Sequence, residues 1–161
     1  MIKIISENLL NCTENIIVHQ VNPFGTMGAG VARQLANKYK GLEENYNLFC
    51  NSKNYDYNQL KGEVFKINID NKIICNMYSQ MPDFITDYPA MEKALRTIKN
   101  TAKDLNLTVC MPYKIGCGIA YGNWEVVEQI IADMFYDYEV TLYRLGGTNE
   151  YNNSTNKTNE F

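Results

Sequence analysis

The chain has 161 residues, 45% of them hydrophobic and 20% charged, a size and composition suited to one well-buried globular core. Its net charge is −3 and its lysines and arginines form no block, which argues against a nucleic-acid groove working by phosphate neutralisation. The apolar runs are too short to span a bilayer, and Met1-Ile-Lys-Ile-Ile5 leads directly into a strand pattern with no secretory core region. A cytoplasmic protein without membrane contact is therefore expected.

The first predicted strand covers residues 2–5 and the second 16–21. The second runs into His19-Gln-Val-Asn-Pro-Phe-Gly-Thr-Met-Gly-Ala-Gly30, after which Val31, Leu35 and Tyr39 recur at helical spacing. Residues 41–62 are expected to hold another helix and then a polar loop. Strands at 63–69 and 72–78 flank Asp70-Asn71, a tight turn that makes them an antiparallel hairpin. Met91, Ala94, Leu95, Ile98, Ala102 and Leu105 form one face of a long helix, with Asp87 as its cap and Pro89 in its first turn. A strand at 107–112 feeds a bend containing Gly116, Gly118 and Gly122. A helix follows, capped by Asn123, with Trp124, Val127, Ile130, Ile131 and Met134 on one face. The last strand is 140–145.

Most of these strands are continuously apolar, as strands covered on both faces are. The order predicts an α/β fold, a three-layer α/β/α sandwich with a mixed central sheet. The domain spans 1–146, and the polar residues 147–161 are expected to be a disordered tail. Five cysteines (Cys12, Cys50, Cys75, Cys110 and Cys117) include no C-x-x-C, and His19 is the single histidine. Reduced thiols are expected, with Cys75 and Cys110 as core residues, and no metal site or redox cofactor.

Two segments repeat one grammar of strand, glycines and helix. Glycines let backbone N–H groups approach an anion closely, and a helix start adds its positive end. Two such cradles suit a ligand with two phosphates, or one diphosphate gripped from both sides. The first has the spacing G-x-x-G-x-G, unlike the dinucleotide fingerprint G-x-G-x-x-G, and a second helical segment and a polar loop intervene between its helix and the strand at Glu63. His19 stands beside the first cradle, where it could titrate near neutral pH as a proton acceptor or be hydrogen-bonded within the fold. Asp87 has two readings as well, helix cap and catalytic carboxylate.

Ile17-Val-His-Gln-Val-Asn22, Met27-Gly-Ala-Gly-Val-Ala32, Pro112-Tyr-Lys-Ile-Gly-Cys-Gly-Ile119 and Asn123-Trp-Glu125 together resemble the macrodomain family. The branch most resembled holds small bacterial and phage macrodomains, terminal ADP-ribose glycohydrolases and ADP-ribose-1''-phosphate phosphatases. The resemblance implies a mixed sheet between helices and ADP-ribose, or a derivative of it, as ligand. It places Asn8 near the adenine and Asn22 toward the distal ribose. Met27, Gly28, Ala29, Gly30 and Val31 match the first phosphate loop. Ile115, Gly116, Cys117, Gly118, Ile119 and Ala120 match the second, with Tyr121 covering the ligand. The glycohydrolase branch has an aspartate where this chain has Ala120, and a lysine where it has Tyr78-Ser79-Gln80. Ser79 and Gln80 are then expected to orient a water or a ribose hydroxyl, with His19, Asn22 and Asp87 as the candidates for chemistry. Two functions stay open. The leading one is a hydrolase acting on an ADP-ribosylated protein or nucleic acid, ADP-ribose-1''-phosphate or an acylated ADP-ribose. The other is a binder that reads ADP-ribose marks or sequesters a nucleotide signal made from NAD.

Overall fold

A computed structural model describes residues 1–145, so the expectation for 147–161 lies outside the described residues. The strands are β1 (Ile2–Ile5), β2 (Ile16–Val21), β3 (Val64–Ile69), β4 (Lys72–Tyr78), β5 (Val109–Pro112) and β6 (Val140–Tyr143). They form one sheet in the order β1-β6-β5-β2-β4-β3. All neighbours are parallel except β3 and β4. That hairpin turns through Asp70 and Asn71 at φ of 50° and 64°. Two consecutive left-handed residues match the twist of the flanking strands, and Asp and Asn tolerate that conformation best after glycine.

Successive residues of β2 serve opposite faces, as the two-residue period of a strand requires. Ile17 and Val21 pack with Leu35, Leu42 and Tyr46 from helices α1 (Gly30–Lys38) and α2 (Leu42–Ser52). Ile16 and Val18 pack with Met91, Leu95 and Ile98 of α4 (Tyr88–Leu105) and with Val127 and Ile131 of α5 (Trp124–Met134). The sandwich therefore has two cores, one on each side of a mixed sheet. Among the described residues no helix is long and apolar enough to cross a membrane.

Four expected features move, the first being β3, which begins at Val64 instead of 63. The polar stretch before β3 contains a one-turn helix, α3 (Tyr57–Leu60), where the Asp56 side chain accepts from the Asn58 N–H at 2.9 Å. Residues 107 and 108 precede β5 without joining it. There the Asn15 N–H donates to Thr108 Oγ1 and the Thr108 N–H to Asn15 Oδ1, both at 2.9 Å, so side chains fasten the two segments where the ladder has not begun. At the far end β6 stops at Tyr143 instead of 145.

The parallel strands β2, β4 and β5 are adjacent, so the segments after Val21, Tyr78 and Pro112 emerge on one edge of the sheet. Ligands of open α/β sheets bind at that edge, outside the carboxyl ends of the strands.

Candidate functional site

A cleft of about 290 Å³ opens at this edge. Of the residues singled out from sequence, it is lined by His19, Asn22, Met27, Gly28, Ala29, Val31, Gln80, Ile115, Gly116, Gly118, Ile119 and Ala120. A smaller depression containing Asn8, Tyr113 and Tyr143 shares Val31 and Pro112 with the cleft and extends it along the sheet edge.

The first loop is braced from behind and open in front. Asn22 Oδ1 accepts from the Phe24 N–H at 2.9 Å and the Tyr46 hydroxyl at 2.8 Å, while Asn22 Nδ2 donates to the Thr26 carbonyl at 3.1 Å. The Met27 N–H donates to Glu43 Oε2 at 2.6 Å. At Gly28 an added Cβ would meet no atom within 4 Å. Helix α1 begins after Ala29, which provides no side-chain cap. Among the described residues, the N–H groups of Gly30, Val31 and Ala32 have no acceptor. A helix start with free N–H groups and open space before it is suited to an anion.

The second loop is held by a polar network. Gln20 Nε2 donates to the Ser79 carbonyl at 3.1 Å, Ser79 Oγ at 3.0 Å and Thr86 Oγ1 at 3.2 Å. Thr86 Oγ1 in turn donates to the Gly116 carbonyl at 2.7 Å, and the Thr86 N–H to the Ala120 carbonyl at 3.0 Å. The Gly122 N–H closes back on the Gly116 carbonyl at 2.9 Å. These bonds leave the N–H groups of Gly118, Ile119 and Ala120 without an acceptor among the described residues. Helix α5 is not offered to a ligand, because Asn123 Oδ1 already accepts from the Glu125 N–H at 2.9 Å. The expectation that both loops lend a helix start is thus corrected for the second.

Several expected roles meet a different geometry. His19 is 1% exposed, with its Nε2–H donating to Asn76 Oδ1 at 2.6 Å and Nδ1 without a partner. Asn76 Nδ2 donates to the Phe65 carbonyl, so its Oδ1 must accept, and this fixes the tautomer. Burial pushes the imidazole down to about 4, so His19 is neutral at pH 7 and does not titrate there. Asp87 caps α4, accepting from the Ala90 N–H at 3.1 Å and the Tyr57 hydroxyl at 2.9 Å, and does not line the cleft. Ser79 is fully buried and Tyr121 is 83% exposed, and neither is among the residues that line the cleft. Cys117 and Gly30 also lie outside the lining. Burial pushes the Cys117 thiol up to about 11. Asn8 Oδ1 accepts from the Leu10 N–H at 2.9 Å, capping the short turn Leu9–Asn11 at the edge of the smaller depression.

Sequence reasoning missed Gln20, Thr26, Ala32, Phe84 and Pro112, all in the lining. Gln20 carried a signal, since a glutamine at the carboxyl end of an otherwise apolar strand needs buried polar partners. Phe84 carried none. It sits at φ 69° in the segment between β4 and α4, and its ring lies 5.5 Å from that of Phe24 across the rim. Within the lining, His19 is the one titratable side chain.

No family model matches the chain. An uncharacterised 17.5 kDa protein of the tk-vs intergenic region of Enterobacteria phage T4 is 32% identical over 141 residues, 78% of this chain and 83% of that one. The ADP-ribose glycohydrolase OARD1 of Bos taurus is 27% identical over 132 residues, 80% of this chain and 81% of that one. Among solved structures, the macrodomain of Mycobacterium tuberculosis DarG superposes with a TM-score of 0.77 at 24% identity, covering 89% of this chain and 97% of that one.

Proposed function

For a chain that belongs to one family with the phage T4 protein and has the macrodomain fold, we propose that the cleft binds ADP-ribose or a close derivative. The diphosphate lies between the free N–H groups at the start of α1 and those of Gly118, Ile119 and Ala120. The adenine occupies the depression beside Asn8, Tyr113 and Tyr143, and the distal ribose lies toward Asn22 and Gln80. The observation that carries this reading is the first loop, where an uncapped helix start faces the open space at Gly28. Anions held by backbone N–H groups need no lysine or arginine, which agrees with a lining that has neither.

Hydrolysis of the bound derivative is the second reading, favoured by the similarity to a protein named as an ADP-ribose glycohydrolase. In this chain Ala120 stands in the lining where the resemblance would put an aspartate, and the stretch Tyr78-Ser79-Gln80, where it would put a lysine, has none. A lysine-linked covalent route is therefore unsupported. Neutral His19 could only accept a proton or orient a water, and it is a weak base. Binding without turnover is the reading the geometry supports better.

Incubation with ADP-ribose-1''-phosphate, O-acetyl-ADP-ribose and an ADP-ribosylated protein, following binding and product together, separates the two. We expect saturable binding with no release of product. Turnover of any of the three that is lost in His19→Gln would make the hydrolase reading correct instead.

A further inference from the structure

We propose that Cys12, Glu14 and Cys110 form a zinc site outside the cleft. Cys12 and Glu14 lie in the connection from β1 to β2, and Cys110 lies in β5. Their ligating atoms, two sulfurs and a carboxylate oxygen, all fall within 4.8 Å of one another. Two thiolates bound at about 2.3 Å to one tetrahedral zinc ion lie roughly 3.8 Å apart, so a shift of at most about an ångström closes the site. Cys110 is fully buried, while Cys12 and Glu14 are 8% and 9% exposed, which leaves the ion a path from that side.

The surroundings suit a bound dication. The Tyr143 hydroxyl donates to Glu14 Oε2 at 2.7 Å, which orients the carboxylate and leaves Oε1 for the metal. Lys72 Nζ donates to the carbonyls of Cys12 at 3.0 Å and Glu14 at 2.5 Å, fixing the backbone that carries both ligands. Its ammonium and the dication together balance two thiolates and a carboxylate, so the buried cluster is neutral when loaded. Two thiolates and one carboxylate are a soft-to-borderline donor set, which selects zinc over calcium or magnesium, and a water completes the tetrahedron. The three ligands tie the connection before β2 to β5. Through Tyr143, which also lines the smaller depression, they reach β6. The site is independent of the ADP-ribose reading.

Cobalt(II), a spectroscopic stand-in for zinc, tests this with the reduced full-length chain. One equivalent should give a sulfur-to-cobalt charge-transfer band in the near ultraviolet, and one equivalent of zinc should abolish it. Cys12→Ser and Cys110→Ser should each remove the band, Glu14→Gln should weaken cobalt affinity by roughly tenfold or more, and Cys75→Ser should leave it unchanged. Zinc at about a hundredfold excess over its Kd should raise the wild-type melting temperature by roughly 5–10 °C. Reduced wild-type protein without the band overturns the proposal, whatever the variants do. So does a band that survives Cys12→Ser, or a chain that forms a Cys12–Cys110 disulfide when oxidised but takes up no cobalt when reduced.

Discussion

At Gly28, before α1, an added Cβ would meet no atom within 4 Å, whereas at Gly122, before α5, it would lie 2.3 Å from the Gly116 carbonyl oxygen. Gly116 itself sits at φ +75°, and a Cβ there would press on Met91, Thr86 and Gln20 at 3.0–3.2 Å. Glycine is needed in the second loop so that the chain can fold back on itself. In the first loop Gly25, at φ +78° against Asn47, serves the backbone in the same way, and Gly28 alone leaves open space. The helix starts differ in the same sense, since α1 has no side-chain cap and α5 is capped by Asn123. Two segments with one sequence grammar thus divide the task. The first leaves a helix start uncapped toward open space, and the second leaves only a short row of loop N–H groups held by the Gln20–Thr86 network.

Substitutions can break this contrast. Gly28→Glu should leave the melting temperature within a degree or two of wild type. It should weaken ADP-ribose binding roughly a hundredfold, about 2.8 kcal/mol, since it fills the open space with bulk and negative charge. Gly118→Glu should have the same effect from the opposite wall. Gly122→Ala should do the reverse, costing about 3 kcal/mol of stability in denaturant titration because backbone atoms cannot both stay. Equal loss of stability at Gly28 and Gly122 would erase the distinction.

Acid sharpens the contrast from below the first loop. The folded His19 imidazole is lowered from 6.5 to about 4, so between those values the unfolded chain binds a proton that the folded chain refuses. Its contribution is fully present above about pH 6.5 and is lost as pH falls toward 4. Denaturant titrations should show a loss of about 2 kcal/mol between about pH 7 and pH 5. His19→Gln should flatten that part of the profile, because the chain has no other histidine. The smallest effect belongs to the second helix start. Asn123→Ala should cost about 1 kcal/mol of stability, the value of a cap, without changing ADP-ribose affinity. A tenfold loss of affinity there would show that α5 takes part in binding after all.

What the sequence made legible followed from local rules. Apolar runs marked β1, β2 and β4 to the residue, and capping chemistry marked the starts of α4 and α5 through Asp87 and Asn123. The layer order and mixed sheet followed from strands too apolar to face water. Long-range partners were not legible. Asn76, on the strand beside His19, and the burial that neutralises the imidazole belong to the sheet and not to any motif. Tyr57 likewise occupies Asp87 from a helix too short to be read. The segment from Ser79 to Asp87, which supplies Phe84 and holds the second loop, has no periodicity, only a bridge between Gln80 and Thr86. Cys12 and Cys110, distant in sequence, meet only because β5 lies beside β2.

Calorimetric titration of the full-length chain with ADP-ribose, and in parallel with AMP, tests the two-loop clamp most directly. The account predicts one ADP-ribose site per chain, with AMP binding at least about tenfold more weakly because a single phosphate engages only one of the two loops. No heat with ADP-ribose, or equal affinity for both ligands, would contradict it.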